Sequence, residues 1–576
     1  MERIIECVPN FSEGRNSQII NALVEAVRSG AKKADGSGTG VKVLNVDPGE
    51  ATNRTVITFA GNPEAVVEAA YSAVAKAAEL IDMRHHHGAH PRSGATDVLP
   101  LIPIAGVTLE ECAEMARKLA ERIANEQGIP CYCYEAAAYK PERKNLAVCR
   151  AGEYEALPQK MADAERRPDF GPEEYNSTVA RSGAINVGAR DFLIAVNFNL
   201  NTTSTRRANA IAFDVREKGR PMREGNTLTG RVVKDAEGNP VMIPGTLKGC
   251  KAIGWYIDEY GIAQVSMNIT DINVTPLHKA FEEVCRAAQA RGLRVTGTEI
   301  VGLVPKRSLI EAGKYFLEKQ QRSTGISEDE IIKIAVKSMG LDDLKPFNPK
   351  EKVIEYLLED EEDKAVRERL TRMSCRDFAT ETASESPAPG GGSISAYMGA
   401  LAAALGTMVA NLSSHKRGWD DRWKEFSDWA ERGQALMGSL LALVDEDTAA
   451  FNLIMQALAM PKGSPQEKAD RAEALEKATL YATRVPLRTM KETLKAFPLL
   501  RAMATEGNPN SVSDAGVGAL AARSAVLGAQ LNVMINASSL KDRTVADELC
   551  REAEGIAAEA IELEREIIEI VKGKIA

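Results

Sequence analysis

Residues 53–81 read NRTVITFAGNPEAVVEAAYSAVAKAAELI, and this stretch decides how the first part of the chain folds. Asn53 to Ala60 is a β-rich run. Asn62 then stands where a helix N-cap belongs, and Pro63 follows at the first helical position, where a missing N–H costs nothing. From there Val66, Ala70, Val74, Ala77 and Ile81 recur at helical spacing and form one apolar stripe. A strand passing directly into an amphipathic helix is the repeating step of an α/β layer, so the stretch predicts a sheet with helices on one face.

The same alternation extends in both directions. Upstream, Arg3 to Val8 reads as a strand and Asn16 to about Ser29 as a helix. The Gly-rich stretch Asp35 to Gly40 and a second strand, Val41 to Val46, come next, and a Pro48-Gly49 turn joins this strand to the quoted one. Downstream, past a His-rich loop, Val98 to Ile104 is an apolar strand. Thr108 with Glu111 three residues on is a capping-box pair, and it opens a helix that closes near Gly128. The order is βαββαβ. A second unit of the same topology runs from Phe192 to about Val304, with strand Phe192–Leu200, helix Ser204–Lys218 and a hairpin turning near Gly261. A helix opened by Thr275 and Pro276 and a closing strand, Glu299–Val304, complete it. Within it, the segment from Gly219 to Gly249 is long enough to be a mobile loop or flap. Between about Pro346 and Arg372 the pattern turns to proline and charge, with the acidic run Glu359 to Asp363, as expected of an exposed connection. Everything beyond is helical. Ala396, Gly399, Ala400, Ala403 and Ala404 place small residues on one helix face, which lets a second helix approach closely.

Composition narrows the function. The 576 residues correspond to about three or four structural units at ~150 residues each. Lys and Arg total 72 against 81 Asp and Glu, a formal charge of −9, so the basic excess needed for sustained phosphate-backbone contact is missing and nucleic acid is not expected as a partner. Nine scattered cysteines read as reduced thiols, and the N-terminus has no signal-peptide h-region, which together point to the cytoplasm. The uncharged run Ser393 to Leu412 has about the length that spans a bilayer. It is rich in Ala, Gly, Ser and Thr and carries Asn411, so a buried helix is expected and no membrane.

Several clusters could carry chemistry. Four of the six histidines fall in Arg84-His85-His86-His87-Gly88-Ala89-His90-Pro91-Arg92. Imidazole ligates metals, but adjacent histidines on one turn do not converge on one ion, and the loop lacks a carboxylate or thiol. An acid/base histidine is the other functional reading, with His90, held between Gly88 and Pro91, best oriented; a polar surface loop is the bland one. Asp47 ends one strand and Arg54 begins the next. Asp-Pro-Gly commonly builds only a turn, yet beside an acid/base histidine Asp47 would orient the imidazole and Arg54 could clamp a carboxylate. In the helical half, Gly390-Gly391-Gly392-Ser393 precedes a helix without the ending of a P-loop. Asp447 lies among Leu440, Val444, Phe451 and Ile454 at helical spacing, where desolvation should raise its pKa. Asn532 and Asn536 are an i, i+4 amide pair on an apolar helix and need partners. Cys131 and Cys133 share a strand face and read as packing.

Taken together, Cys7 to Gly14, Thr52 to Thr55, His90-Pro91-Arg92, Gly152 to Glu155 and Pro168-Asp169-Phe170-Gly171-Pro172 resemble glutamate formiminotransferase. Ser386 to Ser393, Asp445-Glu446-Asp447 and Gly528 to Asn536 resemble formiminotetrahydrofolate cyclodeaminase, in the order of the fused bifunctional family. The resemblance implies an α/β fold of two ferredoxin-like βαββαβ subdomains, residues 1–180 and 181–338, a linker over 339–372 and an all-α helical bundle over 373–576. It implies transfer of a formimino group from N-formimino-L-glutamate to N5 of tetrahydrofolate, then cyclisation to 5,10-methenyltetrahydrofolate with loss of ammonia. His90 matches the catalytic histidine, Asp47 its orienting carboxylate and Asp447 the proton-transfer carboxylate of the second step. Arg54 and Arg92, the stretch around Gly171, Pro172 and Gly183, the Gly390, Gly391, Gly392 and Ser393 turn and the Asn532/Asn536 face would bind substrate and folate. The implied co-substrate is a polyglutamylated tetrahydrofolate without metal, and the implied assembly is a homo-oligomer, a ring of dimers. Ala89, Ser93 and His87 depart from the family pattern and leave His90 in place. Two other readings are a metal-dependent amidohydrolase built on His85 to His90 and a non-catalytic folate-binding scaffold.

Overall fold

Ile5 and Cys7 are wholly buried against helices, while Glu6 between them faces the other side, the alternation of a strand with one face on a core. That strand, β1 (Ile4–Cys7), is central in a computed structural model that describes residues 3–30, 40–50, 52–88, 91–225, 229–358, 368–386 and 388–576. It pairs antiparallel with β4 (Arg54–Gly61) on one side and β5 (Thr96–Ala105) on the other, and β2 (Asn10–Phe11) continues between the same two partners. β3 (Val41–Gly49) pairs with β4. The order β3-β4-β1-β5 is the antiparallel βαββαβ sheet expected from sequence. Helices α1 (Ser17–Gly30), α2 (Pro63–Leu80) and α3 (Leu109–Gln127) supply most of the helical side of its core. Two further strands extend the sheet beyond that expectation. β7 (Ile185–Ala189) inserts between β5 and β6 (Cys131–Glu135), parallel to both.

The local signals work as their chemistry dictates. Asn62 accepts the Glu64 N–H, Thr108 and Glu111 cap each other reciprocally, and Gly128 ends α3 in the left-handed region at φ 67°. The Pro48-Gly49 turn is a correction. The ladder runs on through Pro48 opposite Thr55 and Gly49 opposite Arg54, so the reversal comes after Gly49, with Asn53 at φ 48°. Proline is tolerated there because β3 pairs on one side only among the described residues.

The second half repeats the topology with β8 (Ile194–Leu200), α4 (Thr205–Val215), β9 (Cys250–Ile257), β10 (Ile262–Ile269), α5 (Leu277–Gln289) and β11 (Val295–Val301). Its sheet order, β9-β10-β8-β11, places the strands as in β3-β4-β1-β5, and every pair is antiparallel. The 219–249 segment carries a short ribbon pairing Arg220–Pro221 with Met242–Ile243. The acidic run Glu359 to Asp363 lies outside the described residues.

The chain forms two units: 1–309 with 339–358, and 310–338 with 359–576. The second is built of α6 (Gly391–Ser414), α7 (Trp423–Ala459), α8 (Pro465–Leu494), α9 (Ala496–Glu506), α10 (Val512–Ser538) and α11 (Arg543–Ile575). α6 and the stretch 509–538 are long and apolar enough to cross a membrane by length and composition; the apolar window of α6 is mostly buried inside the unit. Its small residues explain how it is buried. A Cβ on Gly399 would stand 2.5 Å from Thr493 Oγ1 of α8 and 3.2 Å from a Leu440 methyl of α7.

Gly399→Ala is therefore expected to destabilise the helical unit by about 1–3 kcal/mol through overpacking. Gly438→Ala in α7, where nothing lies within 4 Å of the new methyl, should stabilise it by up to about 1 kcal/mol. Urea midpoints of the two variants check the opposite signs.

Candidate active sites

In the α/β unit three loops meet backbone to backbone. A Cβ on Gly14 would lie 2.4 Å from the Gly49 carbonyl oxygen, and one on Gly88 would lie 2.2 Å from that of Thr52. Asn53, at the β3–β4 reversal, joins them. Its Oδ1 accepts the Gly14 N–H at 3.0 Å, its Nδ2 donates to the His87 carbonyl at 3.0 Å, and His86 Nε2 lies 2.9 Å from its backbone oxygen. Burial lowers the pKa of His86, so the ring favours its neutral form. Arg92 Nε donates to His86 Nδ1 at 3.4 Å. The Arg92 guanidinium is taken by two carboxylates, Glu153 at 3.0 Å and Glu155 at 2.6 Å.

His90 and Ala89 lie outside the described residues; the residues flanking them, Gly88 and Pro91-Arg92, belong to the loop system above. Asp47 is exposed on β3. It sits two residues before Gly49, which is paired with Arg54, so Asp47 and Arg54 share a sheet face and their charges act on each other. Asp97, almost fully buried, accepts the Ser93 N–H at 3.0 Å and an ion pair from Arg150, whose positive charge also acts on Arg54. Gly183, at φ 69°, bridges to Gly94; a Cβ there would meet the Ser93 oxygen at 2.4 Å. Gly171, at φ 101°, packs on the Ile129 carbonyl at the start of β6, with Pro172 after it. Asp169 beside them pairs with Arg143 at 2.6 Å and accepts the Cys133 N–H. Sequence reading quoted the segments holding Asn53, Glu153 and Glu155 without assigning these residues a role. Their only signal in the sequence is polarity near a glycine or a turn, which only their partners make interpretable.

In the helical unit the predicted residues converge. Gly390 caps α6, and its first turn faces α7 so closely that a Cβ on Gly392 would lie 2.2 Å from Asp447 Oδ1. The Ser393 hydroxyl donates to Asp447 Oδ2 at 3.1 Å and lies 3.3 Å from the Thr448 hydroxyl. Burial pushes the Asp447 carboxyl above the usual carboxylate range, against the opposing pull of Ser393. A Cβ on Gly391 would sit 3.2 Å from Asn532 Nδ2, so this amide borders the same turn. Asn536 faces elsewhere, donating to the Ala482 carbonyl of α8 at 2.8 Å. The three consecutive acids divide their work. Asp445 accepts the Leu370 and Thr371 N–H groups, Glu446 accepts Tyr481 Oη at 2.6 Å and pairs with Arg488, and Asp447 alone meets the glycine turn. A partly buried carboxyl of raised pKa beside helix amides is suited both to take up and to return a proton.

Among the described residues no group of three or more His, Cys, Asp and Glu side chains could hold a metal ion. Both His86 nitrogens are already engaged.

Comparison with known proteins covers nearly the whole chain. Residues 4–190 match the formiminotransferase domain, N-terminal subdomain; 195–359 match the formiminotransferase domain; and 374–555 match formiminotransferase-cyclodeaminase. The formimidoyltransferase-cyclodeaminase of Sus scrofa is 41% identical over 543 residues, 94% of each chain. The glutamate formimidoyltransferase of Streptococcus pyogenes is 38% identical over 55% of this chain and 94% of its own. The methenyltetrahydrofolate cyclohydrolase of Methylorubrum extorquens is 38% identical over 34% of this chain and 95% of its own. With its two βαββαβ halves, its helical unit and the glycine turn against Asp447, the chain belongs to the formiminotransferase-cyclodeaminase family.

Proposed function

We propose that the α/β unit transfers the formimino group of N-formimino-L-glutamate to N5 of tetrahydrofolate, and that the helical unit then closes the ring, as befits a bifunctional folate enzyme of histidine degradation. The observation that carries the reading is the seating of the partly buried Asp447 carboxyl against Gly392 and the Ser393 hydroxyl, in a glycine turn that Asn532 borders at Gly391. In the first step N5 attacks the formimino carbon. His90 removes the N5 proton and returns it to the departing glutamate nitrogen, with Asp47 orienting the imidazole. Arg54 supplies the guanidinium for a substrate carboxylate. Arg92, already held by Glu153 and Glu155, serves the site by fixing His86 and the loop around it. In the second step N10 attacks the same carbon and ammonia leaves. Asp447 takes the N10 proton and passes it to the leaving nitrogen, giving 5,10-methenyltetrahydrofolate.

This reading requires no metal, and the engagement of both His86 nitrogens weighs against an amidohydrolase built on the His85 to His90 cluster. Gly171, Pro172 and Gly183 hold the loops that border the folate site, and the folate is polyglutamylated. The protein works as a cytoplasmic homo-oligomer, a ring of dimers. Its free thiols fit that compartment, and the exposed Leu401, Leu412, Val517, Leu520, Leu531 and Ile535 of α6 and α10 supply a face for self-association. The relative from Methylorubrum extorquens supports a second reading of the helical unit, hydrolysis of the methenyl ring to formyltetrahydrofolate.

Purified protein given tetrahydrofolate and formiminoglutamate should produce methenyltetrahydrofolate, followed by its near-ultraviolet absorbance, with a chelator present. His90→Ala is expected to slow the first step by about 10²–10⁴-fold, and Asp447→Asn to leave it running while the formimino intermediate accumulates. Product that passes on to the formyl compound would favour the cyclohydrolase reading. Silence of wild type would overturn the assignment.

The pH profile gives a second test. Ser393 donates to the charged form of Asp447 and holds its pKa down, so Ser393→Ala should raise the apparent pKa of the carboxyl further. The acid limb of the cyclisation rate should then move to higher pH, and an unmoved limb would remove Asp447 from the proton transfer.

A further inference from the structure

Glu6 is a carboxyl without a partner. It is 3% exposed on β1, and no hydrogen bond or ion pair to it exists among the described residues; Arg190 acts on it only at longer range. A buried carboxyl left so is costly unless something else supplies its donors. It lines a cavity of about 390 Å³ on the sheet face opposite α1 to α3, within the range of small-ligand sites. The cavity is mixed in character: Val8, Phe192, Leu193 and Leu303 give it apolar surface, and its polar groups besides Glu6 are Asn45, Thr58, Arg190, Glu351 and Lys352. Desolvation raises the Glu6 pKa to about 7, opposed by Arg190, so the acid is poised between its two forms.

We propose that Glu6 binds a planar pair of N–H donors carried by one carbon, the amidine-type edge of a substrate of the first reaction. This inference rests on the function proposed above. Two molecules there carry such an edge: the 2-amino-4-oxopyrimidine ring of tetrahydrofolate, through N3–H and its amino group, and the formamidine of formiminoglutamate. Each can make two parallel N–H···O bonds to a carboxylate. Phe192, Leu193 and Leu303 offer apolar surface to the faces of a flat ring and the polar groups meet its edge, which gives Glu6 the role of a specificity residue for the pterin. It takes no part in the bond changes.

Steady-state kinetics of the first step with Glu6→Gln test this. Gln keeps the shape and one acceptor but loses the charge, so the KM for tetrahydrofolate should rise about 10–100-fold while that for formiminoglutamate stays within twofold. The inverse pattern would put the formamidine in the cavity. Two unmoved KM values overturn the proposal. Should the variant fail to fold, as read by thermal unfolding, calorimetry of wild type decides. Binding of tetrahydrofolate or of formiminoglutamate at pH 7, in two buffers of different ionisation enthalpy, should release about half a proton for the ligand that engages Glu6. Release with neither ligand overturns it. Binding is read without turnover, so an inactive wild type would sink the proposed function and leave this result standing.

Discussion

Close approach of one backbone to another, possible only where a Cβ is missing, is the constraint on which both candidate sites depend. In the helical unit Gly392 admits the carboxyl of Asp447 to the first turn of α6, and any side chain there would occupy the carboxyl's own volume. In the α/β unit Gly14 and Gly88 let the loops at one end of the sheet touch through their carbonyls, and Gly183 does the same against Gly94. Chemistry is placed there by what glycine leaves out. The polar residues that function needs are then held by groups of fixed position, chiefly helix amides and carbonyls.

Electrostatics completes the arrangement by occupying most charges and leaving a few unfilled. Arg92 is saturated by Glu153 and Glu155, Asp97 by Arg150 and the Ser93 amide, Asp445 by two amides, and Glu446 by Tyr481 and Arg488. Such groups stiffen the frame. Asp447 and Glu6 are different, because burial raises the pKa of both with no cation at contact distance among the described residues. A carboxyl whose pKa is raised by burial costs stability wherever it is charged, which is why the two stand out from the ion-paired network.

Much of this was legible before any coordinates. The Asn62-Pro63 cap, the Thr108/Glu111 box and the stripe from Val66 to Ile81 are local, since each depends on neighbours within one helical turn. Asp447 was legible for a similar reason: its apolar surroundings, Leu440 and Val444, lie on its own helix. The Pro48-Gly49 turn was misread because edge position, which makes proline acceptable inside a ladder, is a property of the sheet. β7 between β5 and β6 was missed for the same reason, as parallel insertion depends on which strand edge is open. The partners of Arg92 were not legible because Glu153 and Glu155 lie some sixty positions away in the chain.

The sequence by itself determined the alternation of strand and helix, the switch to an all-helical second part, the family, and the residue types able to move protons. These follow from periodicity, capping and motif order, all written within short windows. Tertiary structure alone decided which polar residues are spent on one another and which remain to meet a ligand. It gave Asn536 Nδ2 to the Ala482 carbonyl of another helix, held Asn532 beside the glycine turn with its Nδ2 on the Gly528 carbonyl, and left Glu6 facing a cavity. Partnership and desolvation are relations between distant segments, and no single stretch of chain contains them.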